Sequence, residues 1–155
     1  MDFTKQKLER GISEYKLGNL DRAVYYLSQA MEMEETSEVL FYLGLIYSQR
    51  NQISEALSYF YRSVQTDPNY GNPCNEIGVI LLRLGREKEA VYWLKKSISC
   101  KINDAIHIPL FNLATLYKLW NRPERSLQYL YKALEFAPDF EQAVLLRDEI
   151  LSCKE

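Results

Sequence analysis

Residues 40–68, LFYLGLIYSQRNQISEALSYFYRSVQTDP, read as two short amphipathic helices joined by a turn. Leu40, Leu43, Gly44 and Tyr47, then Ala56, Leu57, Phe60, Ser63 and Val64, recur at the three- and four-residue spacing of a helix face. Asn51, between the two runs, is a residue type that accepts the left-handed backbone and so ends a helix. No stretch of the chain alternates like a half-buried strand.

Outward from this stretch the pattern repeats. Gly11, Gly44, Gly78 and Ala114 share one slot at separations of 33, 34 and 36 residues, and Ala23, Ala56, Ala90 and Ser126 share a second at the same separations. Leu27, Phe60, Leu94 and Leu130 form a third, Ala30, Ser63, Ser97 and Ala133 a fourth, and Gly18, Asn51, Gly85 and Asn121 a fifth. The small residues predict points where helix backbones cross closely, since a larger side chain would overpack the contact. The fifth slot predicts the hairpin turns.

In Leu40, Leu43-Gly44, Tyr47, Ala56, Phe60, Ser63 and Asp67-Pro68 the chain resembles the tetratricopeptide repeat family. The resemblance implies an all-α fold: a right-handed superhelical solenoid of four helical hairpins, with repeats near 4–36, 37–70, 71–106 and 107–140. The whole chain, 1–155, then forms a single domain. The third unit is two residues longer, with the extra residues placed around Lys101 to Ile106. Lys7 and Arg10 stand where the family has large apolar residues, as suits a terminal unit whose outer side meets water. A capping helix is expected over 139–153, with Asp139 at its N-terminus.

Composition narrows the function. With 19 Lys and Arg against 21 Asp and Glu, the net charge is −2 and no dense basic stretch exists to neutralise phosphates, so nucleic acid is not an expected partner. The N-terminus turns polar at once and no segment is apolar long enough to span a bilayer, so a soluble cytoplasmic protein without a membrane partner is expected. Cys74, Cys100 and Cys153 are widely spaced without a paired motif, and Cys74 and Cys100 fall on apolar slots where a small buried hydrophobe is expected. His107 is the sole histidine and reads as a partly exposed residue at a helix start. No nucleophile, acid and base stand together in a pattern that catalysis needs, so neither an enzyme, a cofactor nor a metal is expected. Glu32, Glu34 and Glu35 read as a solvated helix end.

The family resemblance implies that the first helix of each unit lines a concave groove. One row there is Leu8, Phe41, Asn75 and Phe111; one turn on lie Ile12, Leu45, Val79 and Thr115; a third row is Tyr15, Ser48, Leu82 and Lys118, with Tyr42 alongside. Three aliphatic residues of four in the middle row are more than a wetted surface needs, and a contiguous apolar patch marks an interaction site. A subset of the family binds acidic C-termini of heat-shock chaperones through lysine, asparagine and arginine. The matching positions here hold Leu8, Ile12, Tyr42, Asn72 and Glu76, so that clamp is absent.

The expected function is a protein-interaction module or adaptor that takes an apolar peptide or amphipathic helix in the groove. The alternatives are a self-associating scaffold, as a homodimer, and a chaperone similar to the small repeat chaperones of bacterial secretion translocators. On the outer helices Tyr25, Tyr26, Tyr59, Tyr61, Tyr92, Trp93, Tyr129 and Tyr131 are expected to fill the space between hairpins.

Overall fold

The computed structural model describes residues 2–153. Among them the chain forms nine helices: α1 (Phe3–Lys16), α2 (Leu20–Met33), α3 (Ser37–Gln49), α4 (Ile53–Thr66), α5 (Asn72–Arg83), α6 (Glu87–Ser99), α7 (His107–Leu119), α8 (Pro123–Phe136) and α9 (Glu141–Ser152). They pair as four hairpins, each outer helix packing on the inner helix of the next, with α9 against α8. The result is an all-α solenoid.

Local sequence sets two of the helix starts and the four hairpin turns. The Asp2 carboxylate accepts from the Lys5 amide at 3.1 Å and the Thr36 hydroxyl from the Val39 amide at 3.3 Å, capping α1 and α3. All four hairpins reverse through a left-handed residue: Gly18 (φ 79°), Asn51 (58°), Gly85 (73°) and Asn121 (53°). The fifth slot therefore marks turns, as its residue types require.

The crossing slots are as tight as predicted. A Cβ on Gly78 would lie 2.8 Å from Leu94 Cγ, and one on Gly11 would lie 2.7 Å from Leu27 Cγ. Serines in the small slots add hydrogen bonds: Ser97 Oγ donates to the Gly71 carbonyl and Ser126 Oγ to the Ala114 carbonyl, both at 2.8 Å. Ser37 and Ser63 each donate to the other's carbonyl, at 2.8 and 2.7 Å. The buried core is a series of clusters along the stack: Leu27 with Leu43 and Ile46, Phe60 with Ile77 and Leu81, Leu94 with Leu113, and Leu130 with Ala143 and Ile150.

The first unit departs from its neighbours. In the second and fourth units Tyr47 stacks on Tyr59 (centroids 5.2 Å) and Tyr117 on Tyr129 (5.4 Å). The equivalent of Tyr47 and Tyr117 is Glu14, which is buried and held by Arg22 (3.1 Å), Arg10 (3.4 Å) and the Asn19 amide (2.9 Å). Lys7 and Arg10 lie over the Tyr26 ring at 5.5 and 5.7 Å. An ionic lock thus stands in the first hairpin where the second and fourth hold a stacked tyrosine pair.

Three expectations need correction. Asp139 does not cap α9; the helix starts after Phe140, which is drawn onto Phe111 (5.0 Å) and His107 (5.1 Å). Cys100 is only half-buried, its thiol against the Pro68 carbonyl at 3.5 Å, because the chain leaves α6 there to form a loop. Of the eight outer aromatics, Tyr59, Trp93 and Tyr129 are half-buried against the core clusters and Tyr26 against Lys7 and Arg10, whereas Tyr25, Tyr61, Tyr92 and Tyr131 are exposed, Tyr61 beside Trp93.

Candidate functional site

The inner helices α1, α3, α5 and α7 carry the candidate residues, and the structure sorts these by depth. In the first row Phe41 is 8% exposed and sits in the core, edge-on to Tyr42 (5.4 Å) and Tyr70 (5.5 Å). It is therefore not an open surface residue. Its ring is covered because the α4–α5 connection brings Tyr70 over it. Asn75 is equally buried, receiving a hydrogen bond from Asn112 Nδ2 (3.0 Å) and giving one to Glu76 Oε1 (3.1 Å). Phe111 is half-buried beneath Phe140. Leu8 lines a cleft of 540 Å³ with Glu38, Tyr70, Ile102 and Asp104.

The middle row, Ile12, Leu45, Val79 and Thr115, is partly exposed along its whole length. Leu45 rests on the core cluster below, and Thr115 donates its hydroxyl to the Phe111 carbonyl (3.0 Å), so its methyl group is its outward contribution. The third row begins at Tyr15, which stands edge-on to Tyr42 (5.7 Å) and accepts a hydrogen bond from Gln49 Nε2 (3.1 Å). Ser48 is half-exposed, and Leu82 lines a 150 Å³ hollow with Asn112, Thr115 and Leu119. Lys118 is engaged by Glu149 of α9 at 2.6 Å. Ile12, Tyr15, Tyr42, Leu45, Val79, Leu82 and Thr115 thus remain as a solvent-reachable wall.

Two carboxylates adjoin this wall. Burial pushes the Glu76 carboxyl above its usual range, and the Asn75 amide and Arg83 oppose that shift in part. Burial and the neighbouring Asp104 push Glu38 the same way. A second hollow, 120 Å³, is lined by Phe41, Asn72, Glu76 and Ile108, joining α3, α5 and the start of α7.

Sequence reading missed the 540 Å³ cleft. Glu34 and Glu35, read as a solvated end, line it, and Glu35 pairs with Arg62. The available signal was the longer third unit, since Ile102 and Asp104 belong to that insertion. The geometry offers binding surface. Among the described residues no group of three His, Cys, Asp or Glu is arranged to hold a metal ion, and no helix is long and apolar enough to cross a membrane.

The tetratricopeptide repeat pattern matches residues 8–71 and again 109–145, together about two thirds of the chain. The Est1 DNA/RNA binding domain pattern matches 56–105, less than half of it. Protein O-mannosyl-transferase TMTC3 of Homo sapiens is 24% identical over 128 residues, 80% of this chain but 14% of that protein, so the chain spans about a seventh of this relative. The structure from the functional characterization of Pseudomonas aeruginosa pilF superposes with a TM-score of 0.89 at 16% identity, covering 99% of this chain and 69% of that one. PilW, a widely conserved type IV pilus biogenesis factor, gives 0.80 at 16%, covering 92% and 66%. YrrB, described as having an unusual peptide-binding site, gives 0.68 at 20%, covering 89% and 71%. At these identities the structural likeness is one of fold.

Proposed function

Because the chain belongs to the tetratricopeptide repeat family, a family of interaction scaffolds, we propose that its concave wall binds an apolar peptide or amphipathic helix of another protein. The observation that carries this reading is that Ile12, Leu45, Val79 and Thr115, at one position of successive inner helices, are all partly exposed, as are Tyr15, Tyr42 and Leu82. Association costs on the order of 4–15 kcal/mol in lost freedom, and one buried large apolar side chain returns roughly 1.5–3 kcal/mol. The partner therefore engages several rows at once, which an extended or helical segment does. The peptide-binding site of YrrB is a property of that protein, and it agrees with the same use of this fold. Binding rather than catalysis, in a soluble cytoplasmic setting, is the role this wall suits.

The test is capture of a partner by the intact chain, by Leu45→Glu/Val79→Glu and by the convex control Tyr92→Glu. Each introduced charge lies on a surface that is already partly or fully solvated, so helical circular dichroism is retained. The expected result is a partner held by the intact chain and by Tyr92→Glu but lost from the double variant. Equal capture by all three rejects the concave wall. Sedimentation over a concentration series separates this reading from self-association, in which the same double variant turns a dimer into a monomer.

A further inference from the structure

The connection from α6 to α7 is a built element. Gly71 N donates to the Ile102 carbonyl (2.7 Å) and Ile102 N to the Asn69 carbonyl (3.0 Å), while Asn103 Nδ2 donates to the Ser97 carbonyl (2.9 Å). Asn72 and Asp104 exchange a second pair of hydrogen bonds, at 2.9 and 3.2 Å. A Cβ on Gly71 would lie 2.7 Å from the Ser97 carbonyl oxygen and 2.8 Å from Asn103 Nδ2, so glycine is what lets the loop close on the start of α5. The closed loop stands as a fixed lip along the 540 Å³ cleft, facing Leu8 of α1.

The cleft is amphipathic. Leu8, Tyr70 and Ile102 supply its apolar surface, and its remaining charged lining residues are all acidic, with no lysine or arginine among them. Glu35 is paired with Arg62, whereas among the described residues Glu38 has no ion-pair partner, and the Asp104 carboxylate accepts from the Asn72 amide. The carbonyl ends of α2 and α4 meet here, at Glu34 and Asp67, and neither helix has a basic residue in its last turn. Helix C-termini attract positive charge, so two of them add to the field of the carboxylates. The carboxylates do not converge as a metal cage. The void is too large for an ion alone and is walled on the apolar side by surface suited to methylene groups.

We propose that this cleft receives a lysine or arginine side chain borne by the same partner segment that lies on the concave wall. Its stem packs on Leu8, Tyr70 and Ile102, and its cationic head meets Glu38 and Asp104. Charge complementarity selects this occupant, and a hollow lined by Phe41, Glu76 and Ile108 adjoins the cleft at the Asn72–Asp104 pair. The proposal rests on the groove reading and adds to it: the ligand is an apolar segment with a basic residue at one end.

The experiment is selection from a phage-displayed library of random linear peptides, run in parallel on the intact chain, on Glu38→Gln/Asp104→Asn and on Leu45→Glu/Val79→Glu. The intact chain is expected to enrich apolar peptides carrying lysine or arginine at one end. Binding of a synthetic member of that pool is expected to weaken about tenfold or more in Glu38→Gln/Asp104→Asn, as for loss of a charge-assisted hydrogen bond. The same binding is expected to weaken with added salt. Apolar enrichment without basic residues, or basic peptides held equally by the intact chain and Glu38→Gln/Asp104→Asn, overturns the cleft proposal while leaving the groove reading in place. Peptides bound equally by the wall variant, or no enrichment at all, overturn both. Both cleft substitutions lie on exposed residues, and circular dichroism confirms that the fold is retained.

Discussion

Two rows of residues lie one helical turn apart on the same four inner helices, yet they have different fates. Leu8, Phe41, Asn75 and Phe111 stand near the N-terminal ends of the inner helices, where the connections between units pass. Tyr70 and Phe140 fold over Phe41 and Phe111, and the α6–α7 loop walls the cleft at Leu8. Ile12, Leu45, Val79 and Thr115 lie beyond the reach of those connections and remain half-exposed. In a stacked-hairpin fold, then, helical spacing assigns a residue to a face, and the loops decide how deep that face lies.

The largest test of this difference is in stability. Phe41→Ala removes a ring that is packed among Tyr42, Phe60 and Tyr70, and is expected to cost about 3–5 kcal/mol. Leu45→Ala, one turn away on the same helix, removes a half-exposed side chain and is expected to cost about 1 kcal/mol. Urea denaturation of the two variants measures both. Similar costs would mean that Leu45 belongs to the core and that the wall is closed.

A smaller effect is expected at the crossing beneath the wall. Gly78 and Val79 are neighbours, one packed on α6 and the other partly exposed. Gly78→Leu drives atoms into Leu94, whose Cγ is 2.8 Å from the position of the first added carbon, and is expected to cost about 2 kcal/mol or more. Val79→Leu adds bulk to a partly solvated site and is expected to stay within about 0.5 kcal/mol. The same denaturation measurement applies, and a tolerated Gly78→Leu would break the shared register of the four crossings.

What could be read from the sequence follows from this geometry. Turns and crossings were legible because each imposes a residue type on one position: φ of 53° at Asn121, or no room for a side chain at Gly11. Which side of an inner helix a residue occupies depends on helical phase, which spacing alone carries. Burial of Phe41 and Asn75 was not legible, since it depends on Tyr70 and Asn112, which approach from other segments. Sequence spacing located the insertion near Lys101 to Ile106, but its pairing with Asn69, Gly71 and Asn72 uses backbone and amide hydrogen bonds that leave no periodic trace. The burial of Glu14 leaves no trace for the same reason: spacing gives no sign of the two arginines that meet its carboxylate.

The smallest expected effect is pH-dependent and concerns Glu76, beside the roofed row. Its carboxyl titrates above the ordinary carboxylate value because burial penalises the charged form, with the Asn75 amide and Arg83 restoring part of the loss. A raised native pKa means that the folded chain holds this proton more tightly than the unfolded chain does. Its contribution to stability is therefore full below about pH 4.3, the ordinary glutamate value, and is lost as pH rises through the folded-state value. Glu76→Gln keeps a carbonyl to accept from Asn75 and removes the ionisation. The variant is expected to be more stable than the intact chain at pH 7, with the gap closing as pH falls towards 4. Denaturant midpoints across that range measure it. A gap that does not change with pH would place Glu76 in water, and the shelter given to the first row would then stop at Asn75.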